Sequence, residues 1–183
     1  MATTDPNLTG VVASGRGAFS DIELDSIEKL GESLALERAT LGAYGNVEQR
    51  KRITRVAALI QNPDTQWIYD RLIRVVGVLN QRYRFDLVAI QESAQFMVYR
   101  DAEGGHFDWH KDQGPSVKRQ LSMTLQLSDP AGYQGCDLEF KHGDQAMTAP
   151  RERGTLIAFP SYLMHRVSPI TAGTRKSLVV WVA

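Results

Sequence analysis

The sequence has little that would direct the chain to a special environment: one cysteine, no net charge and no long apolar run. A single cysteine, Cys136, excludes an intrachain disulfide and is typical of a reducing compartment. The equal numbers of basic and acidic residues, 21 of each, leave no global charge that would attract nucleic acid or a membrane surface. The N-terminus lacks a signal-peptide pattern, and no apolar run approaches the roughly 20 residues that span a bilayer. We therefore expect a cytoplasmic protein with no nucleic-acid or membrane partner.

The composition is that of one ordinary globular domain. The 183 residues, 43% of them hydrophobic and 23% charged, suffice for one buried core. Residues 1–17 are small, polar and glycine-rich, so we expect a flexible N-terminus before a single domain over residues 18–183. A short basic cluster follows at Arg50, Lys51, Arg52 and Arg55. We interpret this cluster as a solvated surface rather than as a patch for an anionic partner.

Two segments in the first half have helical periodicity. Ser20 or Asp21 can cap a helix over the apolar repeat of residues 22–30, and acidic residues occupy its first turn. Thr65 can cap a second helix, whose apolar stripe extends over residues 67–79. Both stripes are typical of helices that pack on a core.

After Tyr83 the pattern changes to that of short strands. Strands are predicted at residues 86–90, 94–99, 120–127, 137–140, 155–159, 165–167 and 176–182, with turn residues between them. Residues 52–60 fit either a strand or a helix. Helices followed by several short strands predict an α+β fold that is mainly β, with the N-terminal helices packed on one sheet of a sandwich or barrel.

One stretch, His106 to Asp112, contains two overlapping His-x-Asp pairs, and His165 follows more than fifty residues later. Such a pair and a distant histidine can occupy one face of an octahedral Fe(II) and leave positions open for other ligands. In a strand, His106, Asp108, His110 and Asp112 would share one face, which packing alone does not explain. A single His-x-Asp also occurs by chance in polar edge strands. By this criterion the two pairs are equivalent.

Further elements occur in order around these pairs. They are Tyr99, Gly104-x-x-Phe107-x-x-His110-x-Asp112, Gly135-x-Asp137-Leu138-Glu139-Phe140, Gly154-Thr155-Leu156, Phe159-Pro160-Ser161, His165-x-Val167 and Gly173-Thr174-Arg175. Over roughly Gln95 to Trp181, the sequence resembles the Fe(II)- and 2-oxoglutarate-dependent dioxygenases, in their prolyl 4-hydroxylase-like branch. The resemblance implies a double-stranded β-helix (jelly roll).

The resemblance also implies one choice between the two pairs. In this branch a glycine and an aromatic residue precede the ligating histidine by six and three residues, which selects the pair that follows Gly104 and Phe107. The implied iron ligands are His110, Asp112 and His165. The other pair, His106 and Asp108, then lies near the site as polar neighbours.

Four residues are implied to contact the cosubstrate, 2-oxoglutarate. Arg175 lies ten residues after the distal histidine, where this branch places the arginine for the far carboxylate. A planar guanidinium suits this role because it contacts both carboxylate oxygens. Ser177 shares the strand face of Arg175, and Tyr99 resembles the tyrosine that donates to the cosubstrate. Gln126 stands where relatives place a cosubstrate-binding side chain.

The implied activity uses Fe(II), 2-oxoglutarate and dioxygen, with ascorbate as a support, and it yields succinate and CO2. The expected outcome is hydroxylation of an unactivated C–H bond in a protein, a peptide or a small molecule. A halogenase is not expected, because it needs the position of Asp112 vacated. Cys136 departs from the usual Gly-Gly-Asp and is expected to alter a turn without contacting an assigned ligand. The alternative is a non-catalytic, cupin-like metal-binding module, against which the triad and Arg175 count.

Overall fold

Residues 10–39, 51–114 and 118–183 are described by this structure, a computed structural model. The helices are α1 (Asp21–Ser33) and α2 (Gln66–Tyr83). The strands are β1 (Ala13–Gly15), β2 (Glu37–Arg38), β3 (Arg52–Ile53), β4 (Arg55–Leu59), β5 (Ala94–Arg100), β6 (His106–His110), β7 (Leu121–Gln126), β8 (Tyr133–Gly135), β9 (Leu138–His142), β10 (Gln145–Thr148), β11 (Leu156–Pro160), β12 (His165–Val167) and β13 (Ile170–Val182).

The strands form two antiparallel sheets. The major sheet has the order β1-β11-β7-β13-β5-β4-β2, and β8 also pairs with β13. The minor sheet has the order β10-β9-β12-β6-β3. Both helices pack on the major sheet through one apolar core. This arrangement confirms the prediction of a mainly β fold with N-terminal helices on one sheet. Within the described ranges, neither helix is long and apolar enough to cross a membrane.

Helix α1 begins at the predicted cap and lies unusually close to the sheet. The Ser20 hydroxyl accepts the Glu23 N–H at 3.4 Å, and the Glu23 carboxylate accepts the Ser20 N–H at 2.7 Å, which together form a capping box. Near the other end, a Cβ atom at Gly31 would lie 2.3 Å from the ring of Phe96. The absence of a side chain at Gly31 therefore allows the helix to contact strand β5 directly.

The three central strands of the major sheet, β5, β7 and β13, present two different faces. Alternate residues point in opposite directions from a strand. The face toward the helices contains Ala94, Phe96, Val98, Leu121, Met123, Leu125, Leu178, Val180 and Val182. The face toward the minor sheet contains Gln95, Met97, Tyr99, Ser122, Thr124, Gln126, Arg175, Ser177, Val179 and Trp181. The polar side chains are thus placed between the two sheets.

The structure differs from the predicted elements in one segment, and in another segment it distinguishes between the two predicted alternatives. Residues 86–90 were predicted as a strand, and this is wrong: the Val88 N–H donates to the carbonyl of the last residue, Ala183, at 2.7 Å, outside any strand. Leu87 and Ile90 pack partly against the core while Val88 is 83% exposed, and the segment pairs with no strand of the described ranges. Residues 52–60, which fitted either a strand or a helix, form β3 and β4.

The structure also tests two further predictions, the flexible N-terminal segment and the solvated basic cluster. Residues 13–15 of the expected flexible segment form β1, which pairs with β11 at the edge of the major sheet, and residues 1–9 lie outside the described residues. In the basic cluster, Arg50 lies outside the described residues. Arg55 forms an ion pair with Glu103 at 2.9 Å, whereas Arg52 extends into the interior.

Candidate metal centre

The two strands that contain the candidate ligands pair with an irregular register. His165 of β12 is opposite His110 of β6, and Val167 is opposite Phe107, so β6 has one extra residue between these pairs. This β-bulge interrupts the strict alternation of side chains. As a result, the ring of Phe107 stacks on the imidazole of His110, with 3.5 Å between their centroids.

The expectation that the side chains at 106, 108, 110 and 112 share one face is therefore wrong. Strand β6 ends at His110, so the alternation of the strand does not extend to Asp112. His106 and Asp108 do not line the cavity that contains the other pair, and Asp108 is exposed. The bulge separates the two His-x-Asp pairs that the sequence presented as equivalent.

The remaining pair lies together with the distal histidine. The Nε2 atom of His110 lies 3.7 Å from Asp112 Oδ1, and His165 Nε2 lies 3.5 Å from Asp112 Oδ2. One ligand atom from each residue lies within 4.8 Å of the others. Two imidazole nitrogens and one carboxylate oxygen at this separation can bind a metal ion through bonds of about 2 Å. The donor set is that of the two-histidine, one-carboxylate face of non-haem Fe(II) sites.

Backbone carbonyls orient both imidazoles. The Nδ1 atoms of His110 and His165 each lie 2.8 Å from a carbonyl oxygen, of Asp108 and Leu163 respectively. Because a carbonyl only accepts, each Nδ1 carries the proton and each Nε2 presents its lone pair to the site. Burial, together with the neighbouring His165, lowers the pKa of His110 to about 4. His110 is therefore neutral at pH 7, which is the form that binds a metal.

The carboxylate of the triad is also held by hydrogen bonds. The Ser122 hydroxyl donates to Asp112 Oδ2 at 2.6 Å, and the hydroxyls of Ser122 and Ser161 lie 2.9 Å apart. Burial by itself would raise the pKa of Asp112, but His165, His110 and the Ser122 hydroxyl hold that pKa below its usual value. Asp112 is therefore an anion over the whole neutral range.

A cavity of about 500 Å³ lies between the two sheets beside the triad. This volume is within the range of roughly 300–1,000 Å³ for small-molecule sites. Its wall on the major sheet includes Gln95, Met97, Tyr99, Thr124, Val179 and Trp181. The cavity is therefore mainly apolar, with the three candidate metal ligands on the side of the minor sheet.

The four residues predicted to bind a cosubstrate form one cluster on the major sheet. Arg175 is only 1% exposed, and its Nη2 and Nε atoms donate to Gln126 Oε1 at 2.8 Å and 3.2 Å. The guanidinium carbon lies 5.7 Å from the ring centre of Tyr99, which lines the cavity. Ser177 is opposite Gln126 in the register of β13 and β7. Arg175, Gln126 and Ser177 lie behind the cavity wall that Tyr99 forms.

Cys136 lies beside the Arg175 of this cluster and is not among the three candidate metal ligands. Its backbone has a φ of 56°, in the left-handed region that usually selects glycine. The preceding Gly135 cannot be replaced easily, because a Cβ atom there would lie 2.3 Å from the carbonyl oxygen of Pro169. Burial raises the pKa of the Cys136 thiol, and the neighbouring positive charge of Arg175 opposes that rise.

Several cavity residues were not predicted from the sequence, among them two arginines and a tryptophan. Arg52, assigned to a solvated cluster, lines the cavity, as do Arg119 and Trp181. The guanidinium of Arg119 lies 3.8 Å from the ring centre of Trp181 and donates to Glu92 at 2.6 Å. Trp181 had a usable signal, because it lies six residues after Arg175 on the same strand and thus on the same face. Arg52 and Arg119 had none.

The fold and the site define a two-sheet β protein with a His-Asp-His set that can bind a metal ion. The sequence profile of the 2OG-Fe(II) oxygenase superfamily matches residues 94–183. A PKHD-type hydroxylase of Teredinibacter turnerae is 34% identical over 138 residues, which are 69% of this chain and 60% of that protein. The chain belongs to the 2OG-Fe(II) oxygenase superfamily. This confirms the resemblance inferred from the spaced motifs.

The likeness to solved structures extends over nearly the whole chain. A Pseudomonas putida prolyl-4-hydroxylase superposes with a TM-score of 0.75 at 16% identity, covering 96% of this chain and 94% of that one. A Trichoplax adhaerens prolyl hydroxylase, solved with a peptide of hypoxia-inducible factor, gives 0.76 at 17% identity, covering 96% and 86%. The double-stranded β-helix is thus confirmed. The chain spans between 41% and 60% of the length of the first three curated relatives it matches.

Proposed function

We propose that this protein is an Fe(II)- and 2-oxoglutarate-dependent dioxygenase that hydroxylates an unactivated C–H bond of a protein, a peptide or a small molecule. The observation that supports it best is the common cavity: the possible metal ligands lie on one side, and the buried Arg175 lies behind the other. The name of the curated relatives, PKHD-type hydroxylase, supports hydroxylation as the outcome.

In this proposal His110, Asp112 and His165 bind the iron. Bound iron supplies the redox chemistry of dioxygen, coupled to the conversion of 2-oxoglutarate to succinate and CO2. The protein contributes orientation: carbonyls keep both Nε2 lone pairs directed at the site, and the Ser122 hydroxyl keeps the Asp112 carboxylate in place. The retained carboxylate of Asp112 is consistent with hydroxylation rather than halogenation.

Arg175 is proposed to bind the far carboxylate of 2-oxoglutarate. Its Nε and Nη2 atoms both donate to Gln126 Oε1, which leaves the Nη1 side of the guanidinium for a carboxylate. Gln126 then positions the guanidinium, and the Tyr99 and Ser177 hydroxyls are proposed as further donors to the cosubstrate. Burial of Arg175 strengthens this attraction, because few water molecules compete for the charge.

The apolar wall of the cavity would exclude water from the reacting groups. Met97, Phe159, Val179 and Trp181 belong to that wall. The site draws on strands from both sheets, and this supports one catalytic domain over residues 18–183. The peptide bound by the Trichoplax relative supports a peptide as one possible class of substrate, alongside small molecules.

Succinate formation tests the proposal. The purified protein is incubated with Fe(II), 2-oxoglutarate, ascorbate and a broad panel of peptides and metabolites, and succinate is quantified. The His110→Ala variant serves as the matched control, because it lacks one metal ligand and retains Arg175. Succinate above that control, together with a mass gain of one oxygen in a panel member, is the expected result.

A second result would favour a different function. If the protein binds Fe(II) but forms no succinate above the His110→Ala control with any panel member, the protein is a non-catalytic cupin-like metal-binding module rather than an enzyme. If 2-oxoglutarate does not bind to the metal-loaded protein, the proposed role of Arg175 fails as well.

A further inference from the structure

Arg52 lies in the cavity and has no carboxylate partner in the described part of the chain. Its strand, β3, pairs with β6, and this places Arg52 directly opposite Phe107. The guanidinium carbon lies 4.6 Å from the Phe107 ring centre, and that ring stacks on His110. One aromatic ring therefore separates Arg52 from a candidate metal ligand. At this position Arg52 can contact a small molecule bound at the triad.

One edge of the Arg52 guanidinium, formed by Nε and Nη2, has no strong acceptor among the described residues. Its Nε atom is buried without a hydrogen-bond partner in the described residues, and Nη2 contacts only the Met97 sulfur, at 3.8 Å. A thioether is a weak acceptor. Arg175 uses the same two atoms, Nε and Nη2, to grip Gln126. The equivalent edge of Arg52 has no strong acceptor. This is unusual, because N–H groups removed from water normally donate a hydrogen bond.

The other buried donors without a hydrogen-bond partner in the described residues are not candidates for binding a charged ligand in this cavity. The Trp181 indole N–H lines the cavity and lowers the pKa of Asp112, but it has no hydrogen-bond partner of normal geometry. The two other buried atoms without a partner in the described residues belong to Arg151 and Thr155, which do not line this cavity. Arg52 is thus the charged group of the cavity to which a ligand would supply a hydrogen-bond acceptor.

The charges of the site would balance without Arg52. With the proposed occupants, the Fe(II) charge is offset by Asp112 and 2-oxoglutarate, whose second carboxylate pairs with Arg175. Arg119 also lines the cavity but is paired with Glu92, and Lys111 is exposed to water. The positive charge of Arg52 is therefore in excess, and a half-buried excess charge is less favourable than a charge in water until an anion accompanies it.

We propose that the substrate carries a carboxylate, which binds the Nε–Nη2 edge of Arg52 within the cavity that contains the triad. This inference rests on the proposed function and names the chemical class of its substrate. A single guanidinium edge matches the two oxygens and single charge of a carboxylate. The Phe107 ring beneath the guanidinium holds it in place through a cation–π contact.

Matched pairs of acids and amides test the inference without turnover. The whole protein is loaded with Mn(II) and saturating 2-oxoglutarate, and then titrated with the N-acetyl derivatives of the twenty amino acids. Each is compared as the free acid and as the carboxamide. Paramagnetic broadening of the NMR signals reports binding close to the metal. In at least one pair, we expect the acid to bind at least about tenfold more tightly than the amide, as charged hydrogen bonds allow.

Substitutions assign that preference to one residue. Arg52→Gln should reduce the preference to about unity, and Arg52→Lys should also reduce it, since lysine keeps the charge without the two-donor edge. Arg55→Gln is the control, because Arg55 belongs to the same basic cluster but pairs with Glu103 and does not line the cavity. It should retain the preference of the unmodified protein.

Three results would overturn the inference: no acid preference in any pair for the unmodified protein, an unchanged preference in Arg52→Gln, or an equal loss of 2-oxoglutarate affinity in that variant. The third result would assign Arg52 to the cosubstrate. The first comparison needs no variant, so it remains decisive even if both Arg52 variants fail to fold. Failure of the unmodified protein to bind Mn(II) or 2-oxoglutarate would instead refute the proposed function.

Discussion

The two faces of the major sheet are formed by the same three strands, yet they have opposite chemistry. Toward the helices, β5, β7 and β13 present an apolar surface that joins one core. Toward the minor sheet, the alternate positions include Tyr99, Gln126, Arg175 and Ser177, which are all buried. Both faces are thus removed from water, but only the second places hydrogen-bonding groups around a cavity.

This difference indicates what each face contributes. The helix face gains its stability from apolar surface removed from water, which depends on volume and close contact. The cavity face contains buried polar groups that are satisfied by one another, as in the pair of Arg175 and Gln126. Substitutions on the first face should therefore change stability, whereas substitutions on the second should change binding.

The largest effect is expected at the triad. Asp112→Ala should abolish detectable Fe(II) binding, because it removes the carboxylate that faces both imidazoles. Asp108→Ala is the control from the other His-x-Asp pair and should spare most of the affinity, since Asp108 is exposed. Anaerobic titration with Fe(II) measures both. If Asp108→Ala abolished binding and Asp112→Ala spared it, iron would belong to the pair that begins at His106.

On the helix face, Phe96→Ala should lower the free energy of unfolding by about 3–5 kcal/mol. Phe96 is fully buried and packs against Gly31 of α1. Its neighbour Gln95 lines the cavity, so Gln95→Ala should change stability by less than about 1 kcal/mol. Urea denaturation of the metal-free protein checks both values. A similar loss in the two variants would show that the faces are not separable.

On the cavity face, Arg175→Gln should weaken 2-oxoglutarate binding by about 10- to 100-fold, the loss expected for charged hydrogen bonds. Lys176→Gln is the control: Lys176 is next on the strand, points to the helices and pairs with Glu28 and Glu32. That variant should lose stability and keep the affinity. Calorimetric titration of the Mn(II)-loaded protein with 2-oxoglutarate distinguishes them, and equal affinities in both variants would exclude Arg175 as the anchor.

The smallest effect concerns pH. The pKa of His110 is lowered to about 4 in the folded protein, so the unfolded chain binds more protons between that pH and about 6.5. Stability of the metal-free protein should therefore fall as the pH is lowered, by about 1 kcal/mol between pH 7 and 5.5. Thermal unfolding at several pH values measures this slope, which should be smaller in His110→Gln. An identical slope in the two proteins would contradict the assignment.

The fold could be predicted where the signal is local. Alternation along residues 94–99, 120–127 and 176–182 predicted the central strands, because one apolar face per strand is a periodic property. The choice of candidate metal ligands depended on a family resemblance, since strand alternation treated both His-x-Asp pairs alike. Residues 86–90 were misassigned because β-type composition does not reveal whether a partner strand exists.

What the sequence by itself determined is the residue inventory: two helical stripes, alternating strands, and the spacing that pairs His110 with Asp112 and Arg175 with His165. What only the tertiary structure decided is which of these side chains meet. The bulge between β6 and β12 places Phe107 and His110 on one side, and the pairing of β3 with β6 brings Arg52 into the cavity. Both depend on contacts between residues far apart in the chain, and no local periodicity encodes such contacts.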